Sequence, residues 1–255
     1  MSSQHSILIT GAGSGIGQGL AEGLAREGCS IVVSDLDEGA ARAVAAQIAA
    51  NGGEAQALAL DVASDASVAE ALTRLERPVD VLINNAGLQH VARLESFPQE
   101  TWGRLIDVML NGACRMTRAV LPGMRESGWG RIVNLGSIHA MVASPYKSAY
   151  VAAKHGLLGF SKTIALETAD TDITINSICP SYVKTPLVEK QIEAQAREHN
   201  MDEEAVVAEI MLKPMPKGAF ITLDEIVGAA LFLMSPAARN MTGQEMVLDG
   251  GWTCR

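Results

Sequence analysis

The chain has 255 residues, of which 48% are hydrophobic and 19% charged; that is enough apolar sequence for a sizeable core and argues against disorder. Its formal charge of −9 repels phosphate backbones and no basic stripe offsets it, so nucleic acid is not an expected partner. Cys29, Cys114, Cys179 and Cys254 are scattered, with no CxxC pair and no His/Cys cluster, which predicts reduced thiols and no metal site.

Short β-branched runs alternate with Ala-rich amphipathic stretches along the whole chain, the pattern of repeated βα units and a parallel sheet. Strands are predicted at 6–10, 30–35, 54–61, 79–85, 130–137, 173–180 and 244–250. Helices are predicted at 15–27, 37–51, 65–76, 99–126, 148–169, 187–210 and 223–234, at or near cap signals such as Asp65, Ser148 and Asp224. The expected architecture is a Rossmann-type, doubly wound α/β fold of about seven strands with helices on both faces, in one domain over 1–255. The stretch 181–222, poor in strand signals, is expected to be a mobile lid. Too few residues precede the first strand for a secretory signal, and no apolar run approaches membrane-spanning length; a cytoplasmic protein without membrane contact is expected.

Gly11, Ser14, Gly15, Ile16 and Gly17 directly follow the first strand and open a helix. Glycines at 11, 15 and 17 permit a tight turn, the approach of a pyrophosphate to the helix N-terminus, and close packing of helix on sheet. The same pattern is also a plain strand-to-helix turn. Asp35 ends the second strand about 20 residues later, where a carboxylate accepts from the adenosine ribose hydroxyls and repels a 2′-phosphate. No Arg or Lys occupies 34–38, so NAD is favoured over NADP. Asp61 and Val62, then Asn85, Ala86 and Gly87, close the third and fourth strands at the carboxyl edge, where ligands bind in such sheets.

Ser137 ends a strand, and Tyr150 and Lys154 follow four residues apart, on one face of a helix. A free phenol has a pKa of about 10 and is a poor base at neutral pH. A neighbouring ammonium and a positive nicotinamide both favour the phenolate, so Tyr150 is the candidate acid/base. Ser137 is placed to donate to the reacting oxygen, and Asn111, within the long predicted helix, to hold a water that links Lys154 to solvent.

These motifs, TGAGSGIG, NNAG, Ser137, YVAAK and a closing DGG, resemble the short-chain dehydrogenase/reductase superfamily along essentially the whole chain. The resemblance implies a catalytic set of Asn111, Ser137, Tyr150 and Lys154, cofactor contacts that include Pro180, Val183 and Thr185, and a homotetramer. The segments NNAGLQHVARLESFP, HAMVASPYKSAYVAAKHG and YVKTPLVEKQI are similar to D-3-hydroxybutyrate dehydrogenases. That likeness implies reversible, NAD-dependent oxidation of D-3-hydroxybutyrate to acetoacetate, a ketone-body reaction. Donors matching Gln89, His139, Lys147 and Gln191 would hold the substrate carboxylate, with Tyr182 and Trp252 on the apolar side. Ser181 stands where the superfamily commonly has glycine, and Leu135-Gly136 is not the usual pair before the serine. Two rival readings stay open: another member of the superfamily, such as a 3-oxoacyl reductase or polyol dehydrogenase, and a catalytically silent NAD-binding regulator.

Overall fold

A computed structural model describes residues 5–254; within 186–199 the side chains at 186, 187, 190, 191, 194, 198 and 199 lie outside the described set. Seven strands form one parallel sheet: β1 Ser6–Thr10, β2 Ser30–Asp35, β3 Glu54–Ala59, β4 Val81–Asn84, β5 Trp129–Leu135, β6 Asp172–Pro180 and β7 Glu245–Leu248. Their order is β3-β2-β1-β4-β5-β6-β7. The fold is thus the Rossmann-type α/β architecture, and the order reverses direction between β1 and β4, where a crevice opens at the carboxyl ends.

Strand side chains alternate between two cores, as a pleat of period two requires. Ile7, Ile9, Ile31, Val33, Val81 and Ile83 enter one, against helices α1 Gly15–Arg26, α2 Glu38–Ala50 and α9 Leu223–Met234. Leu8, Val32, Leu82 and Ile132 enter the other, against α3 Asp65–Thr73, α5 Gly112–Ser127 and α6 Ser148–Glu167. Burial on both faces explains why the strands read as continuous apolar runs rather than alternating ones. Among the described residues, no helix is long and apolar enough to cross a membrane.

Two predicted helices differ from the structure. The run 99–126 comprises α4 Gln99–Ile106, a wider π-helical segment Asp107–Asn111, and α5, which ends at Gly128 with φ of 70°. The run 187–210 breaks in two. α7 Pro186–His199 is capped by the Thr185 side chain and stops at Asn200, which adopts φ of 52°. Asp202 then caps a new start, α8 Glu203–Ala205, which continues as a π-helical segment Val206–Met211. Asn tolerates the left-handed conformation, and periodicity alone carries no sign of such a stop. Val188, Ile192, Val206 and Met211 form a small core of their own, and the bridge Val183–Ile221 ties the base of this excursion together.

Leu82 is fully buried between β1 and β5. Leu82→Ala is expected to lower stability by about 2–5 kcal/mol through lost burial and a residual cavity. Chemical denaturation checks this as a lower midpoint at unchanged slope.

Candidate active site

The crevice begins with a lock between the β1 and β4 turns. The Thr10 hydroxyl accepts from the backbone N–H of Asn85 and Ala86 at 3.0 and 3.1 Å, and the Asn85 amide donates to the Thr10 and Gly11 carbonyls, both at 2.9 Å. A Cβ at Gly17 would stand 2.4 Å from both the Asn85 amide nitrogen and the Gly11 oxygen, so only glycine lets the helix approach. Gly17 therefore packs α1 against this lock and does not face the crevice. Gly15 has φ of 59° and open space at its Cβ, and no side chain caps α1. The first N–H groups of that helix are left for an anion.

Asp35 is held from two sides, accepting from Gly13 N–H at 2.9 Å and from Asp37 N–H at 3.0 Å. Asp61 accepts from Ala63 N–H at 2.9 Å. Gly11, Ser14, Gly15, Ile16, Asp35, Asp61, Val62, Asn85, Ala86 and Gly87 line one end of a single cleft of about 480 Å³. Pro180, Val183 and Thr185 line it further along, with Ser137, Tyr150 and Lys154. Anion-seeking helix end, ribose-seeking carboxylate and small residues at the strand ends together suit a dinucleotide.

At the other end, Ser137 lies two residues past β5, and its Oγ accepts from His139 N–H at 3.1 Å. Tyr150 and Lys154 lie on one face of α6, with the ammonium 5.6 Å from the ring centroid. Lys154 is 5% exposed and donates to the Leu135 carbonyl. Among the described residues no carboxylate pairs with it. Burial pulls its pKa down to about 8. Burial also pushes the Tyr150 phenol above its ordinary value, opposed by the Ser137 hydrogen bond and reinforced by Cys179. Burial thus sets the direction at Tyr150, upward, against the lowering expected from a neighbouring ammonium.

The expected donors gather beside this pair. Gln89, His139, Lys147, Tyr182 and Trp252 all line the cleft; the Gln191 side chain lies outside the described residues. His139 is held at both ring nitrogens, Nδ1 3.3 Å from Ser137 Oγ and Nε2 2.7 Å from Ser144 Oγ. Burial first, then Lys147 and His155, bring its pKa down to about 4, so it is neutral near pH 7. Burial also lowers Lys147. Rings of Tyr150, His139, Trp252 and Tyr182 follow one another at centroid spacings of 5.9, 6.3 and 5.9 Å, forming one wall.

Asn111 is not brought to the site. It lies at the end of the π-helical segment, exposed, and donates to Asp107 at 3.1 Å, which in turn pairs with Arg115 at 2.9 Å. Val108 and Met109, a few residues earlier and so on another face, line the cleft instead. Sequence reasoning also missed Asp249. It accepts from Gly251 and Thr253 N–H at 2.8 and 2.7 Å and so folds the C-terminal turn that presents Trp252. An acid just before a Gly-Gly pair was the available signal.

Residues 5–196 match the short chain dehydrogenase family. The chain belongs to that family. A D-beta-hydroxybutyrate dehydrogenase of Rhizobium meliloti is 44% identical over 97% of this chain and 98% of its own length. One of Cupriavidus necator is also 44% identical, over the whole of both chains. A solved structure named "putative gluconate dehydrogenase", from Agrobacterium tumefaciens, superposes with a TM-score of 0.88 at 31% identity, covering 97% of this chain and 95% of that one. As a short-chain dehydrogenase this protein is an oxidoreductase of small molecules that uses a nicotinamide cofactor, and the crevice described above suits one.

A buried ammonium costs stability. With its folded pKa depressed from 10.5 to about 8, Lys154 binds its proton less readily folded than unfolded, so the penalty is full below about pH 8 and fades toward pH 10.5. Lys154→Met is expected to raise stability by about 1–3 kcal/mol at pH 7, less at pH 10, while abolishing turnover. Melting temperatures at the two pH values, without added cofactor, check it.

Proposed function

We propose that this short-chain dehydrogenase reversibly oxidises a small 3-hydroxy acid, D-3-hydroxybutyrate to acetoacetate, with NAD. The observation that carries the reading is the gathering of Gln89 and Lys147 in the cleft that holds Ser137 and Tyr150. Two relatives of 44% identity named D-beta-hydroxybutyrate dehydrogenase support the same substrate. An amide and an ammonium satisfy a carboxylate by charge-assisted hydrogen bonds, and a ligand without the acid would leave them unpaired.

When bound, the nicotinamide supplies an acceptor for the hydride that leaves the carbinol carbon. Tyr150 takes the hydroxyl proton as the carbonyl forms, and returns it in the reverse direction. Lys154, charged below about pH 8, stabilises the phenolate against the burial that opposes it. Ser137 donates to the substrate oxygen. His139 assists if its proton sits on Nδ1: it then donates to Ser137 Oγ, accepts from Ser144 at Nε2, and leaves the Ser137 proton free for substrate. This orienting role differs from the direct carboxylate contact that the family likeness implies.

Asp35 supports NAD, since both its oxygens are anchored at the crevice and its charge repels a 2′-phosphate. The excursion 181–222, with its own small core and with Tyr182, Thr185 and Val188 at the cleft, is proposed as a lid that excludes water from the reaction. A homotetramer is inferred from the family and is tested by sedimentation.

The test is steady-state turnover of 3-hydroxybutyrate against neutral alcohols, with NAD and NADP. Lys147→Ala is expected to lower kcat/KM for the acid about 10–100-fold with NAD affinity unchanged. Tyr150→Phe should keep NAD binding and lose about 10²–10⁴-fold in turnover. Comparable rates on neutral alcohols overturn the hydroxy-acid reading, and an active Tyr150→Phe overturns the acid/base assignment.

A further inference from the structure

A chain of buried hydrogen bonds beneath the active site has a defined direction. Ser161 Oγ donates to the Leu157 carbonyl at 2.8 Å, so its lone pairs are left to accept from Asn134 Nδ2 at 2.9 Å. That orients the Asn134 amide, whose Oδ1 accepts from Asn84 Nδ2 at 2.8 Å. Asn84 Nδ2 also approaches Thr117 Oγ1 at 3.4 Å. The orientation of Asn84 follows: its Oδ1 points out of the chain of bonds, buried and with no hydrogen-bond partner among the described residues. Turning this amide over would break its bond to Asn134 and set two carbonyl oxygens against each other. A buried carbonyl left unpaired bears its full desolvation cost, whereas every other member of this chain is satisfied.

A cavity of about 10 Å³ adjoins it, lined among others by Thr10, Asn84, Met109, Gly112, Lys154 and Leu157. That is the space of one water, and Asn84, Lys154 and Thr10 supply polar partners for it. Lys154 has three donors, of which the Leu135 carbonyl takes one. We propose that Asn84 is a positioning residue for Lys154: through one buried water its side-chain carbonyl accepts from the lysine ammonium, and so holds that group charged beneath Tyr150.

The neighbours leave this role open. Tyr150 on the same helix and Cys179 on β6 are the titratable groups that face Lys154, and the Cys179 thiol is pushed up to about 11 by burial and stays neutral. Glu245 on β7, which faces Cys179, is paired with Lys162 at 2.9 Å. His139 faces the Tyr150 ring and is neutral near pH 7. With no anion close by among the described residues, dipoles that accept from the ammonium are what favour its charged form.

The inference rests on the acid/base reading of Tyr150 and Lys154, and the experiment separates the two. Asn84→Leu removes the acceptor and fills the cavity. With the lysine charge weakened, the phenolate is harder to form, so the acid limb of the kcat/KM profile for alcohol oxidation should move up by about one pH unit, a roughly tenfold loss at fixed pH on that limb. NAD affinity should not change. Asn84→Asp keeps an oxygen toward the cavity and should hold the limb at or below its wild-type position. Thr117→Val removes a partner of the same amide's Nδ2 and leaves its Oδ1 in place, and should cost stability without moving the limb. A high-resolution crystal structure of the unaltered protein should show one ordered water within hydrogen-bond distance of Asn84 Oδ1 and Lys154 Nζ. An Asn84→Leu profile identical to that of Thr117→Val, or a cavity without that water, overturns the proposal; the crystal structure decides should Asn84→Leu fail to fold. If Tyr150→Phe retains turnover while the bridging water is present, it is the acid/base reading that fails.

Discussion

The site depends on one ammonium held under a phenol, away from bulk water. Lys154 is almost wholly buried, has the Leu135 carbonyl as its protein acceptor, and is paired with no carboxylate among the described residues. The buried cation at the opposite edge of the sheet is treated differently: Arg131 bonds to Asp172 at 3.0 Å and stacks on Trp129 at 4.5 Å. A paired charge is spent on structure. An ammonium without a counter-ion costs stability, yet its field remains available to whatever charge develops beside it. Loss of water around both groups shifts each member of the pair against its charged form.

The scaffold makes such a burial possible. Each strand is covered on both faces, so alternate side chains of β1, β2 and β4 fill two separate cores. The reversal of strand order between β1 and β4 leaves the crevice at the carboxyl edge, and the Thr10–Asn85 lock holds its two sides in register. The residues proposed to hold cofactor and substrate share one cleft because they come from the ends of neighbouring strands and from helix α6 between β5 and β6.

Much of this was legible in the amino-acid order. Apolar runs marked all seven strands to within a few residues, and the glycine turn, Asp35, and the Tyr150–Lys154 spacing picked out residues that line one crevice. What the sequence left open shares a cause. Asn111 is polar and in a helix near the right place, but a π-helical segment shifts the facing, and Val108 and Met109 take the cleft. The helix predicted at 187–210 breaks at Asn200 because one residue enters the left-handed region, a local choice that apolar periodicity does not encode. His139 carried a donor's identity in the sequence, but not the two serines that occupy its nitrogens.

Composition, periodicity and motif spacing determined the fold class, the strand set and the residue types at the crevice, because each is written in short-range pattern. Tertiary structure alone decided which face a helical residue presents, which way the Asn84 amide points, and whether burial or a neighbouring charge prevails at Tyr150. Those outcomes depend on side chains distant in sequence, such as Asn84, Asn134 and Ser161, meeting in a dry medium where each hydrogen bond made fixes the orientation of the next group.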